Sequence, residues 1–193
     1  MALNLPFLRR KTGPGLHNLS FADRIWLGRQ MRHVANMVAA HGWVPVPLQG
    51  RAGPSWVYTV GFDETLGHPE LILFDAPYEF AATEFHAAFE GIKSGGLLLA
   101  DGMTWSEEGV GKCIVRKVHP DRISGAGWFS LALHRRRIVK GDYFGLEAYQ
   151  LVLPDKSGRL PWDAGYDESI RKWQPALWEP LDSETGDARR AQD

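Results

Sequence analysis

The stretch from Trp56 to Phe74 constrains the fold of this chain more than any other. Trp56-Val-Tyr-Thr-Val-Gly-Phe62 and Leu71-Ile-Leu-Phe74 carry the β-branched and aromatic residues that suit a pleated, half-buried surface. The second run is apolar and too short for an ordinary helix. A polar connection with Gly67 and Pro69 joins them. It brings Asp63, Glu64, His68 and Glu70 beside the strands, the densest mixture of ionisable groups next to apolar residues in the chain.

On either side the pattern turns helical. Leu27, Met31, Val34, Ala35 and Val38 recur at helical spacing, Ser20 offers an N-cap with Asp23 close behind, and Gly42 supplies a left-handed C-cap. A helix is therefore expected over Phe21 to His41, with Arg24, Arg29, Arg32 and His33 on its solvated side. Tyr78, Ala81, Ala82, Phe85, Phe89 and Ile92 form a second stripe, with Asp75 as N-cap, Pro77 near the first turn and a stop at Ser94-Gly95-Gly96.

Between and after these, Trp43 to Leu48 reads as an edge strand or extended connection, because Pro45 and Pro47 cannot donate to a ladder. Leu97 to Trp105 and Lys112 to Val118 read as extended stretches joined through a hairpin at Ser106 to Gly111, the second ending at His119-Pro120-Asp121. A short helix is expected from Trp128 to about Arg136, and a last strand from Ala148 to Leu153. Pro154 to Gly158 is a turn, and the residues from Leu160 on wrap the domain irregularly, anchored by Trp173 and Trp178. Strands clustered between helices predict an α+β fold: one domain over 19–181, a mainly antiparallel sheet flanked by two principal helices. Residues 1–18 read as an extended arm and 182–193 as a disordered tail.

Composition narrows the function classes. The formal net charge of −1 gives no electrostatic reason to expect a nucleic acid or an anionic membrane as partner. Cys113 is the only cysteine, so an intramolecular disulfide, a cysteine zinc cage and an iron–sulfur site are all excluded, which fits a reducing cytoplasm. Arg9, Arg10 and Lys11 follow the short apolar run at the N-terminus, where a secretory signal has its charges first. No segment approaches the roughly 20 apolar residues of a membrane span. The eight tryptophans serve as large core residues, or two or three of them line a ligand cleft.

Most catalytic signatures fail on inspection. Gly109-Val-Gly111-Lys112 has Ser106 and Cys113 where a phosphate loop needs glycine and Ser or Thr. His68-Pro69-Glu70 has the His-x-Glu spacing of a zinc deaminase without the paired cysteines. A metal held by His68, Glu70, His119 and Asp121 has no local spacing to support it, and no metal is assigned. Cys113 in an apolar strand reads as a small buried hydrophobe before it reads as a nucleophile. The basic run His134 to Arg137 with Lys140 either complements a helix C-terminus or offers an anion site.

Trp56-Val-Tyr-Thr-Val-Gly-Phe, His68-Pro-Glu-Leu-Ile-Leu-Phe, Gln150-Leu-Val-Leu-Pro-Asp155, Gly158-Arg-Leu-Pro-Trp162 and Gln174-Pro175 together resemble the bacterial domain-of-unknown-function family 4262 over about residues 22–178. Phe62 stands where that family usually has leucine. The resemblance implies no particular activity. It does imply that a functional surface uses the motif positions Tyr58, Thr59, Gly61, His68, Glu70, Gln150, Asp155 and Trp162.

The expectation is a cytoplasmic module that binds a small molecule or a protein, with Tyr58, Thr59, Gln150, Asp155 and Trp162 as ligand-binding residues in a cleft shared with His68 and Glu70. The alternative is a hydrolase-like enzyme in which His68 is the general acid or base, oriented by Glu70 or Asp155. A flavin-binding split barrel is a more remote option, with only the basic run to hold a phosphate; no cofactor is assigned. Against all of these stands a purely architectural reading, in which Glu70 satisfies backbone donors at the turn and His68 pairs with Asp63 or Glu64.

Overall fold

A computed structural model describes residues 21–50, 53–105, 113–125 and 127–181. The elements are α1 (Phe21–His41), β1 (Val44–Gln49), β2 (Ser55–Val60), α2 (Phe62–Thr65), β3 (Glu70–Phe74), α3 (Tyr78–Lys93), β4 (Thr104–Trp105), β5 (Cys113–Lys117), α4 (Pro120–Gly125), α5 (Ser130–Lys140), β6 (Ala148–Val152) and α6 (Glu168–Arg171). The expected arm, tail, Ser20 cap and hairpin tip lie outside the described residues.

The strands form one six-stranded sheet in the order β1-β2-β3-β6-β5-β4. Every neighbouring pair is antiparallel except β3 and β6, which are parallel. The fold is α+β. Its two central strands are apolar and buried along most of their length, because both sheet faces are covered. Val46, Tyr58, Ile72, Phe74 and Ala148 face one core with α1 and α5. Val57, Leu71, Leu73, Val115 and Leu151 face a second core with α3. Two principal helices were expected; α5 is a third, longer than the short run read from the sequence, and it packs against α1 on the same face.

β1 is the edge strand that its prolines predicted. Pro45 and Pro47 have no N–H, so two positions of this edge offer no donor to a further strand. Gly42 closes α1 as expected, with φ of +84° and its N–H on the Val38 carbonyl at 2.8 Å. Two local expectations need correction. Asp75 does not cap α3: it adopts φ of +49°, and Pro77 stands at the N-cap without a side-chain hydrogen bond. Leu97 to Trp105 is strand only at Thr104 and Trp105. The helical turn α2 inside the polar connection was not foreseen, because four residues carry no periodicity to read.

Candidate functional site

The ladder between β2 and β3 runs in register as far as Tyr58 opposite Ile72. Beyond that pair a side chain replaces the backbone carbonyl. Thr59 Oγ1 accepts from the Leu71 N–H at 2.8 Å and donates to Glu70 Oε2 at 2.5 Å. The Glu70 carboxylate also accepts from the backbone N–H groups of Gly61 at 2.9 Å, Phe62 at 3.3 Å and Asp63 at 3.2 Å. These are the opening amides of α2, which have no partner within the turn itself. Burial pushes the Glu70 carboxyl up to about 7, against the opposing pull of Thr59 and the three amides. Glu70 thus fixes a turn, as the architectural reading held.

Other motif residues also end on backbone groups. The Tyr58 hydroxyl accepts from the Leu131 N–H at 3.1 Å and so caps α5, whose own N-cap residue, Phe129, supplies no side-chain bond. Gln150 donates to the Pro175 carbonyl and accepts from the Leu177 N–H, both at 3.0 Å. Gln174 answers from the other side, accepting from Leu153 N–H at 2.8 Å and donating to Leu153 O at 2.9 Å. Asp155 accepts from the amides of Ser157, Arg159 and Asp167, which hold its carboxyl below the usual range. Only Trp162 lies open, 46% exposed, with the Arg116 guanidinium held between it and Trp178 at 5.2 and 5.3 Å from the ring centroids.

His68 is buried, and its Nδ1 lies 2.8 Å from the Pro69 carbonyl. A carbonyl can only accept, so this geometry puts the proton on Nδ1 and leaves Nε2 as a buried lone pair without a partner. Desolvation lowers the pKa of the ring. Its neighbours are Phe62 and Tyr149, which belong to the α3 side of the sheet. His68 does not pair with Asp63 or Glu64. Asp63 instead meets Arg136 at 2.9 Å and Lys140 at 2.8 Å, and Glu64 meets Arg135 at 2.7 Å. These acids neutralise three cations of the basic run from within the chain.

The shared cleft expected from the motifs therefore does not form. Tyr58 and Glu70 lie under α5, His68 lies on the opposite face, and Gln150, Asp155 and Trp162 organise the segment after β6. Among the described residues no three His, Cys, Asp or Glu side chains gather to hold a metal ion. No described helix is long and apolar enough to cross a membrane.

Among the described residues a larger concavity than the crevice at Glu70 lies elsewhere. A groove of about 690 Å3 runs between the end of α1 and the flank of α3, beside the proline-bearing edge β1. Met37, Trp43, Pro45 and Phe89 give it an apolar lining; His41, His86, Glu90 and Lys93 stand on its exposed rim. Trp43 is fixed edge-on against Phe62 and Phe85 at centroid distances of 5.6 and 6.3 Å. Sequence reasoning missed this site because its residues come from α1, β1 and α3, and each was spent on explaining its own element. The one available signal was Trp43, placed between the helix-ending Gly42 and an edge proline.

A family model described as a domain of unknown function, DUF4262, matches residues 37–167. The chain belongs to this family. No curated protein and no solved structure matches it. The DUF4262 match spans the whole groove, the Glu70 network and Asp155. It ends before Gln174 and Trp178.

Proposed function

We propose that the protein is a binding module that takes a small organic molecule in the groove between α1 and α3. The observation that carries this is the joining of a rigid aromatic floor to an open, ionisable rim in a volume suited to a small ligand. Met37, Ala40, Pro45 and Ala82 offer apolar contact to a flat body over the largely covered Trp43 and Phe89, and His41, His86 and Lys93 suit a polar or anionic end. The buried thiol of Cys113, pushed up to about 12 by desolvation, is unreactive and supports a setting that needs no disulfide, such as the cytoplasm.

Anilinonaphthalene sulfonate, a flat aromatic anion, is a suitable first probe. It should bind saturably at one site, and Ala40→Trp, which puts bulk into the groove from an exposed position of α1, should abolish binding without lowering the melting temperature. Binding that never saturates, or that survives the groove-filling change, contradicts the assignment.

A further inference from the structure

The groove adjoins the outer face of α1. Ala40 lines it, and Ala40 is also the last of a row of exposed positions at helical spacing: Arg29, Arg32, His33 and Asn36 precede it on the same face. From Arg24 to His41 the helix contains no Asp or Glu. Arg29, Arg32 and His33 make no ion pair among the described residues.

Other helices treat their cations differently. On α5, Arg135, Arg136 and Lys140 meet Glu64, Asp63 and Asp142; on α3, Lys93 meets Glu90 at 3.7 Å. A solvated helix face usually mixes its signs. Like charges three or four residues apart repel and weaken the helix that carries them, and here no described acid offsets that. The groove itself is less positive than this face. Lys93 is shared with Glu90, so His41 and His86 are left for a polar group on the body of a bound molecule. His33 and Arg32 precede Ala40 by seven and eight residues, about 10–12 Å along the axis at about 1.5 Å per residue. A charged group fixed to a ring in the groove does not reach that far. A tail several bonds long does.

We propose that the ligand of the groove carries an anionic tail, a phosphate chain of the kind a nucleoside diphosphate bears, that runs past Ala40 and Asn36 onto Arg32 and His33, with Arg29 one turn beyond. This rests on the groove being the binding site and adds where the charge of its ligand goes. The two guanidinium forks can each give parallel hydrogen bonds to phosphate oxygens. The Asn36 amide, between them and the groove, can donate to the linking part of the chain.

Adenosine and adenosine diphosphate are the probes, with anilinonaphthalene sulfonate as the control without a tail. Adenosine diphosphate should bind at least about tenfold more tightly than adenosine, the worth of one charge-assisted hydrogen bond. The double variant Arg29→Gln, Arg32→Gln changes only exposed side chains. It should remove that advantage and leave the affinities for adenosine and for anilinonaphthalene sulfonate unchanged. Adenosine diphosphate that binds no better than adenosine, or that keeps its advantage in the double variant, overturns the proposal. So does a protein that binds anilinonaphthalene sulfonate and neither nucleoside compound. If binding of the diphosphate needs the arginines but survives Ala40→Trp, the anion site is separate from the groove, and the single ligand spanning both is wrong. A single strand of nucleic acid carries the same groups; affinity that keeps rising from a dinucleotide to longer strands would assign the face to nucleic acid and overturn the free small molecule. Failure of anilinonaphthalene sulfonate to bind at all sinks the groove reading itself, and the tail falls with it.

Discussion

The Thr59 hydroxyl and the Glu70 carboxylate lie 2.5 Å apart, and the same hydroxyl takes the Leu71 N–H that the β2–β3 ladder would otherwise leave unpaired. Thr59→Val keeps the side-chain shape and removes both bonds. It should cost about 1–3 kcal/mol in chemical denaturation, whereas Thr59→Ser should cost much less, because the penalty is that of buried groups left unsatisfied. Equal losses for the two variants mean that packing of the methyl group matters as much as the hydroxyl, and a loss confined to Thr59→Ser contradicts the account.

Stability should fall as the pH rises from about 4.5, the ordinary Glu value, to about 7, its value in the folded protein. Across that window the native state holds a proton that the unfolded chain has released, a difference of about 3 kcal/mol in total. His68 and His134 act in the opposite sense. Burial lowers their pKa, so they add stability as the pH rises towards their unfolded value. The parent curve mixes these slopes. The difference between parent and Glu70→Gln should decline steadily across the window, and parallel curves contradict the assignment.

Two glycines with positive φ separate strain from crowding. Gly67 has φ of +63° with open space where a side chain would go; Gly61 has φ of +124° and none. Gly67→Ala should cost about 1 kcal/mol, the usual backbone penalty, and Gly61→Ala should cost at least about 3 kcal/mol. Similar melting temperatures for the two variants would mean that the seam between α2 and β1 is softer than it looks.

Gln174 and Gln150 clasp the segment after β6 from opposite sides. Gln174→Ala frees both backbone groups of Leu153 and should destabilise by about 1–3 kcal/mol. It should also speed limited proteolysis between residues 154 and 181, while cleavage elsewhere keeps its rate. A proteolysis pattern identical to that of the parent contradicts the clasp.

Regular elements were legible where a period was long enough to read. Of the α1 stripe, Leu27, Val34 and Val38 are buried while Met31 and Ala35 are half-buried, and Gly42 ends the helix where expected. The parallel pairing of β3 with β6 was not legible, because nothing local records which distant strand Leu71 and Leu73 will meet. The motif positions stood out in the sequence for a physical reason: polar residues beside apolar strands. Such residues draw the eye as a site. Tyr58, Thr59, Glu70, Gln150 and Asp155 instead satisfy backbone groups that the fold leaves unpaired, and the partners that show this lie far away in sequence, as Leu131 does from Tyr58. The rim of the groove, His41, His86, Glu90 and Lys93, reads in the sequence as ordinary exposed helix positions, so the groove stayed invisible until α1, β1 and α3 came together.

Chemical-shift mapping with a library of small aromatic acids and amines tests the central claim most directly. The account predicts that amides and side chains of Trp43, Thr65, His86 and Phe89 shift together for every fragment that binds, while those around His68 and Tyr149 and around Trp162 stay in place. Shifts centred on His68 or on Trp162, with Trp43 and His86 unmoved, would contradict it and return the binding site to the family motifs.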